Sequence, residues 1–312
     1  MLPLRWSQAG ADRVARPTWR RLGVAAVAVA ALATAAAVVL AARAGRGPSH
    51  VFLIVMENRG YEEVVGNPDA PYVNRLAQEY TLADGYFAVG HPSLPNYLAL
   101  VAGQTFGVED DCTDCFFDAP TLADQLEAAG RTWRSYQEDL PEPCFLGEAS
   151  GGYVIRHNPF LYFRAVRDDP ARCTAVVPLT QLEADLASNR VPDLAFVTPN
   201  LRDDMHDGST AEGDRWLASF VPKLLASSAW RDGGVLIITW DEGSSDDGCC
   251  GQPGGGRIAT IVASAQGPHG YRSPAATNHY GLLRTIEDLW GLDHLGHAAE
   301  PGPASLSDLF PR

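Results

Sequence analysis

Residues 235–248, "VLIITWDEGSSDDG", run apolar from Val235 to Ile238, end on the adjacent acids Asp241 and Glu242, and pass into a loop rich in Gly and Asp. A second stretch has the same form: "VFLIVMENRG", residues 51–60, is apolar from Val51 to Met56 and stops at Glu57-Asn58. Short unbroken apolar runs bounded by turn residues read as strands buried on both faces, the kind found in parallel sheets. Similar runs at 132–137, 193–198 and 258–264 alternate with helical patterns at 70–80, 94–102, 120–129, 179–188, 213–227 and 279–290. This alternation predicts an α/β fold, a mostly parallel central sheet with helices on both faces. Ligands of such sheets bind beyond the carboxyl ends of the strands, where Glu57-Asn58, Asn200 and Asp241-Glu242 all fall. Residues 140–178 interrupt the pattern with Pro141, Pro143, Gly147, Gly151, Gly152, Pro159, Pro170 and Pro178, and predict an irregular lobe.

The chain has 312 residues, 46% hydrophobic, which suffices for one large core. Its net charge of −14 is unevenly spread: residues 1–46 hold seven Arg and one Asp, leaving 17 basic against 37 acidic residues in the remainder. An acidic globule of that kind excludes nucleic acid as a natural partner. Lys223 is the only lysine, which argues against Schiff-base or P-loop chemistry. Leu22 to Ala42 is 21 residues without a charge, long enough to span a bilayer, and more Arg precedes than follows it. The expected organisation is a basic cytoplasmic segment (1–21), a transmembrane anchor or cleaved signal (22–42), a linker (43–49) and an extracytoplasmic domain (50–312) at the membrane or secreted. Export makes disulfides the first reading of Cys112, Cys115, Cys144, Cys173, Cys249 and Cys250. Six cysteines allow 15 pairings. Cys112-x-x-Cys115 also fits a zinc half-site or redox pair, but no second such pair supports zinc.

Glu57, Asn58, Asp241 and Glu242 offer oxygen donors, which suit Mg, Ca or Mn. Either pair alone would pass as a helix cap or loop brace; two pairs at matching strand ends point to one oxygen-ligated divalent cation. In "VGHPSLPNYLALVAG" (89–103), Ser93 begins an apolar helical run. A serine there is either an ordinary N-cap or a nucleophile facing free amides and a positive dipole end, a setting that welcomes phosphate. "TPNLRDDMHDGSTAEGDRW" (198–216) gathers Asn200, Asp203, Asp204, His206, Asp207 and Asp214, more polar groups than a turn needs. A histidine beside carboxylates tends to hold its proton and can pass it to a leaving alkoxide. His157-Asn158 lies in the aromatic setting "RHNPFLYF" (156–163), and His279 starts an amphipathic helix in "TNHYGLLRTIEDLWGL" (277–292).

Taken together and in this order, "VFLIVMENRGYEEVVG", "HPSLPNYLALVAG", "RHNPF", "TPNLRDDMHDG", "IITWDEG" and "NHYGLLRTIEDLWGL" resemble the phosphoesterase family of acid phosphatases and phosphocholine-preferring phospholipases C, over roughly residues 50 to 310. That family is similar in fold to alkaline phosphatase and sulfatases. The resemblance implies one metal held by Glu57, Asn58, Ser93, Asp241 and Glu242, a phosphoseryl intermediate on Ser93, and His157, His206 and His279 around the transferring group. It also implies substrate contacts from Asn158, Asn200, Asp204 and Asp207. The sulfatase pattern C/S-x-P-x-R is broken, because Ser93-Leu94-Pro95-Asn96-Tyr97 carries Tyr in place of Arg. Ser93 is therefore expected to stay unmodified, and sulfate esters are disfavoured.

The leading expectation is an exported, metal-dependent acid phosphatase acting on phosphomonoesters. The alternative is a phospholipase C-type diesterase, for which the lobe aromatics at 153–163 would cradle a choline group by cation–π attraction; the plainer reading makes them a small core. A third reading, of another class, is a non-catalytic surface binding module on the same scaffold.

Overall fold

The structure is a computed structural model and describes residues 47–252 and 254–310. The basic N-terminus and the expected membrane segment at 22–42 lie outside the described residues, among which no helix is long and apolar enough to cross a membrane. Eight strands form the main sheet: β1 (Val51–Met56), β2 (Thr81–Ala83), β3 (Trp133–Gln137), β4 (Val176–Pro178), β5 (Leu194–Thr198), β6 (Val235–Trp240), β7 (Thr260–Ser264) and β8 (Tyr271–Ser273). Their spatial order is β8-β2-β7-β6-β1-β5-β3-β4. Every pairing is parallel except those of β7 with β6 and β2. The fold is thus the mostly parallel α/β sheet expected from the alternation, with one reversed strand.

All six residues of β1 and all six of β6 are buried. Burial of successive residues, which point to opposite faces, requires both faces to be covered. Each of these Val, Leu and Ile side chains contributes about 1.5–3 kcal/mol by leaving water. The cover comes from α1 (Pro71–Glu79), α2 (Ser93–Ala102), α3 (Leu122–Ala128), α4 (Thr180–Ala187), α5 (Thr210–Leu225) and α6 (His279–Trp290). Helix α1 packs on α5, and α2 packs on α6 and α3. The α1–α5 contact is fixed by Asp214, whose carboxylate accepts from the first-turn amides of Tyr72 and Val73 at 3.1 and 2.8 Å. Helix α2 is buried along all ten residues, and apart from Ser93, Asn96 and Tyr97, whose polar groups find partners, its side chains are apolar. It ends at Gly103, whose φ of 68° is a left-handed stop.

The lobe at 140–178 is built of short turns and a two-stranded ribbon, and its last three residues become the edge strand β4. Its aromatics Tyr153, Phe160, Tyr162 and Phe163 are buried within the main core. Phe160 stacks on Trp133 of β3 and meets Phe196 of β5 edge-on. This removes the choline-cradle reading for those rings, because burial leaves no face open to a ligand. All six cysteines pair, as Cys112–Cys115, Cys144–Cys173 and Cys249–Cys250, so Cys112 and Cys115 form a bridge and not a zinc half-site.

Candidate active site

The register of the sheet assembles the site. β1 and β6 are parallel neighbours with Met56 opposite Trp240, so the next residues, Glu57 and Asp241, leave the sheet side by side. The Asp241 amide continues the ladder, donating to the Met56 carbonyl at 2.9 Å, and the Glu57 amide donates to the Asp204 carbonyl at 2.8 Å. Asp204 thereby joins the pair from the loop after β5. All three carboxylates are wholly buried.

Ser93, the first residue of α2, is 2% exposed, and its Oγ donates to Glu57 Oε2 at 3.0 Å. One turn on, the Tyr97 hydroxyl donates to Glu57 Oε1. Asn96 locks the approach to the helix: its Oδ1 accepts from the Val89 amide at 2.9 Å and its Nδ2 donates to the Gly90 carbonyl at 2.8 Å. His157 stands between two acids, with Nε2 at 3.4 Å from Glu57 Oε1 and Nδ1 at 3.3 Å from Asp204 Oδ2, and its ring stacks on Tyr97. Glu57, His157 and Asp204 have ligand atoms close enough to share one ion.

Burial, followed by the charges of Asp241 and Asp204, holds the Glu57 carboxyl well above its usual range. Burial raises Asp204 and Asp241 as well, and it pushes the His157 imidazole well down. Asp241 Oδ2 is buried without a hydrogen-bond partner, and Asp204 Oδ2 has only the 3.3 Å approach of His157 Nδ1, without hydrogen-bond geometry. Such orphaned oxygens are costly unless a cation satisfies them. The donor set and the orphaned atoms therefore fit a divalent metal ion.

The second residue of each strand-end pair is placed differently. Asn58 adopts a left-handed φ of 51°, a conformation Asn tolerates better than most residues, and this aims its amide at Asp241 Oδ1, 3.0 Å away. Glu242 Oε2 lies 2.6 Å from His91 Nδ1, whose other ring nitrogen faces the Ser245 carbonyl at 3.1 Å; burial, then the charges of Asp241 and Asp111, pushes the Glu242 carboxyl up to about 9.

The remaining expected residues divide. His206 borders the cluster, its ring centroid 5.9 Å from that of His157. Its Nδ1 meets Asp207 Oδ1 at 2.8 Å, and Arg156 Nη2 lies 3.3 Å from Nε2. A guanidinium only donates, so Nε2 accepts and Nδ1 carries the hydrogen toward Asp207. His279 is wholly buried, with Nε2 at 2.6 Å from the Asp241 carbonyl and Nδ1 at 3.0 Å from the Tyr86 hydroxyl. Both ring nitrogens are thus taken, and burial lowers its pKa to about 4. This differs from the expected place at the transferring group: His279 braces the Asp241 main chain. Asn158 is also buried, bound to the Ser135 and Tyr153 hydroxyls, and Asn200 closes a turn by accepting from the Arg202 and Asp203 amides. Both side chains are thus engaged by neighbouring groups in this structure, Asn200 through its Nδ2 to Asp203 Oδ2 as well. Three residues with contacts at the site were not singled out from sequence: Tyr97, Asp111 and Arg156. Tyr97 follows Ser93 by four positions, one helical turn, which is the one local signal that would have found it.

A family model described as Phosphoesterase family matches residues 67–293. The chain is 34% identical over 263 residues to a phosphatidylinositol-3-phosphatase of Mycobacterium tuberculosis, covering 84% of this chain and 83% of that one. It is 30% identical to an acid phosphatase of Aspergillus fumigatus, over 78% of this chain and only 55% of that longer protein. Among solved structures, a protein in the alkaline phosphatase superfamily from Vibrio parahaemolyticus superposes with a TM-score of 0.55 at 15% identity, over 82% of this chain and 71% of that one. A phosphonate monoester hydrolase of Agrobacterium radiobacter does so with a TM-score of 0.56 at 15% identity, over 84% and 77%. At such identities these two likenesses speak to the fold. With the family pattern extending over most of the chain, the protein belongs to the Phosphoesterase family.

Proposed function

We propose that the protein is a hydrolase of phosphoric ester bonds, an exported, metal-dependent acid phosphatase that cleaves phosphomonoesters through a phosphoseryl intermediate on Ser93. The observation that carries this reading is the Ser93 hydroxyl, at the first position of a buried helix, bonded to a carboxylate flanked by two orphaned carboxylate oxygens. Glu57, Asp241 and Ser93 would hold the ion, with Asn58 and Glu242 beside them and His157 and Asp204 on the other side of Glu57. Such an ion supplies neutralising charge for phosphoryl oxygens and favours the serine alkoxide.

The chain's own residues then have separable tasks. Glu57 orients the Ser93 Oγ and takes its proton as the oxygen attacks phosphorus; the phosphorus–oxygen bond to the leaving alcohol breaks in line, and water then cleaves the phosphoserine to free phosphate and Ser93. His206, its Nδ1–H fixed by Asp207, holds and returns a proton at Nε2. His279 holds the Asp241 main-chain carbonyl and the Asn58 amide holds its carboxylate. The site's burial excludes bulk water and strengthens each electrostatic contact. The names of the relatives favour monoesters over diesters, and one of them favours a phosphorylated inositol lipid as substrate. Three disulfides support an oxidising compartment, with residues 22–42 as anchor or signal.

The test is acid-quenched turnover of nitrophenyl phosphate followed by peptide mass mapping. The reading predicts a phosphorylated peptide containing Ser93, and loss of both label and turnover in Ser93→Ala. Full turnover by Ser93→Ala contradicts it.

A further inference from the structure

Helix α2 offers its first free amides next to Ser93, but the amide of Leu94 is already engaged: it donates to Asp111 Oδ1 at 3.0 Å. The same carboxylate reaches a guanidinium, with Asp111 Oδ2 at 3.4 Å from Arg156 Nε. That Nε is buried and has no hydrogen-bond partner of good geometry. The rest of the Arg156 fork reaches His206 Nε2 through Nη2. Arg156 is therefore a cation held among the nucleophile's neighbours with part of its donor set unused. Asp111 comes from the loop after α2, which the Cys112–Cys115 bridge pins within itself and the Tyr162 hydroxyl (2.9 Å from the Cys112 carbonyl) ties to the lobe.

A planar carboxylate bridging one backbone amide and one guanidinium occupies the position that two oxygens of a phosphoryl group would take. The amide belongs to the residue immediately after the nucleophile, and Ser93 is almost fully covered while this arrangement holds. Arg156 has a second function in the same geometry. While Nη2 bonds to His206 Nε2, that nitrogen is an acceptor and carries no proton. Turning the guanidinium toward a phosphoryl oxygen frees Nε2 for the proton it is to deliver.

We propose that Arg156 and the Leu94 amide form the clamp for the non-bridging oxygens of the substrate's phosphoryl group, and that the Asp111 carboxylate occupies this clamp as an internal anion which substrate must displace. The proposal rests on the phosphoesterase reading of Ser93 and names the residues that grip the substrate in that same site. It predicts that Asp111 lowers affinity for every anion at the site, free phosphate included, while Arg156 raises it.

Inorganic phosphate is the probe, titrated calorimetrically into the full-length protein, so that binding is read without turnover. Asp111→Ala is expected to tighten phosphate binding about fivefold or more, because the competing carboxylate is gone. Arg156→Met is expected to weaken it about tenfold or more, the range of a charge-assisted hydrogen bond, with Arg156→Lys falling between. In the double variant the gain from Asp111→Ala should shrink, since the vacated position lacks its guanidinium. Thermal melts accompany each variant, and Asp111→Asn, which keeps the shape and loses the charge, serves if Asp111→Ala fails to fold. Unchanged or weaker binding in folded Asp111→Ala or Asp111→Asn overturns the internal-anion role. Unchanged binding in folded Arg156→Met or Arg156→Lys overturns the clamp. Failure of the Ser93 reading would be seen separately, as retained turnover in Ser93→Ala, while these binding shifts would still be measurable.

Discussion

The ends of β1 and β6 carry doublets of the same chemistry, Glu57-Asn58 and Asp241-Glu242, yet within each doublet the two residues separate. The first member turns inward: Glu57 and Asp241 are wholly buried beside Ser93. The second member braces. Asn58 lends its amide to Asp241, and Glu242 is held by His91 at the rim. The parallel register places the two inner acids side by side, and the Asn58 amide then braces Asp241. Position within the doublet, more than residue type, therefore decides which oxygen is left unsatisfied and available to a cation.

This contrast breaks most readily by neutralising one member at a time. Asp241→Asn is expected to lower kcat/KM on nitrophenyl phosphate by about a thousandfold, the scale of losing a principal electrostatic group. Glu242→Gln is expected to cost about tenfold or less, because Gln keeps a hydrogen-bonding group beside His91 Nδ1. Steady-state kinetics at saturating divalent cation decides the matter. Equal losses in the two variants would mean that both members serve the same role.

A smaller effect sharpens the contrast between acids that await a cation and acids that do not. Glu287 on α6 is buried and pushed up to about 8 by burial, with Oε1 accepting from the Leu295 amide at 2.9 Å and Oε2 unpartnered. Glu57, Asp204, Asp241 and Glu242 are raised as well. An acid whose folded pKa lies above its unfolded value contributes stability at low pH and loses it as pH rises through the folded value. In chelator, the melting temperature should fall from pH 6.5, above which the lowered His157 and His279 no longer add an opposing rise, toward about 9, the raised value of Glu242. A divalent cation should restore the part due to the site and leave the Glu287 part. Glu287→Gln should raise the melting temperature at pH 8 by about 2–4 °C whether or not cation is present. A melting temperature that climbs between pH 6.5 and 9 in chelator would contradict this assignment.

The long apolar strands were legible because each is buried on both faces: 51–56 is β1 residue for residue, 193–198 differs from β5 by one residue at the start, and the apolar run from Val235 begins where β6 does. Strands β2, β4 and β8 have three residues each, too few for a period to show, and they join the sheet only because neighbouring strands offer them an edge. The reversal of β7 could not be read either, since its apolar sequence looks the same in both directions. The helical candidates agree with α1–α6 to within three residues at each end. At the site, the strand-end acids and Ser93 were visible because chain pleating and helix starts are local. His279, Asn158 and Asp111 were not, since what each touches, the Asp241 carbonyl, the Ser135 hydroxyl and the Leu94 amide, is set by tertiary packing. Asp111 illustrates the limit: it lies 17 residues after the amide it caps, on a loop with no periodic signal.

The account stands most directly on one diffraction experiment, anomalous scattering from crystals grown with Mn²⁺. It predicts a strong peak among Glu57, Asp241 and the Ser93 Oγ, with the orphaned Asp241 Oδ2 turned onto the ion. Unpeaked density there at saturating Mn²⁺, or an ion bound only to carboxylates distant from Ser93, would contradict it.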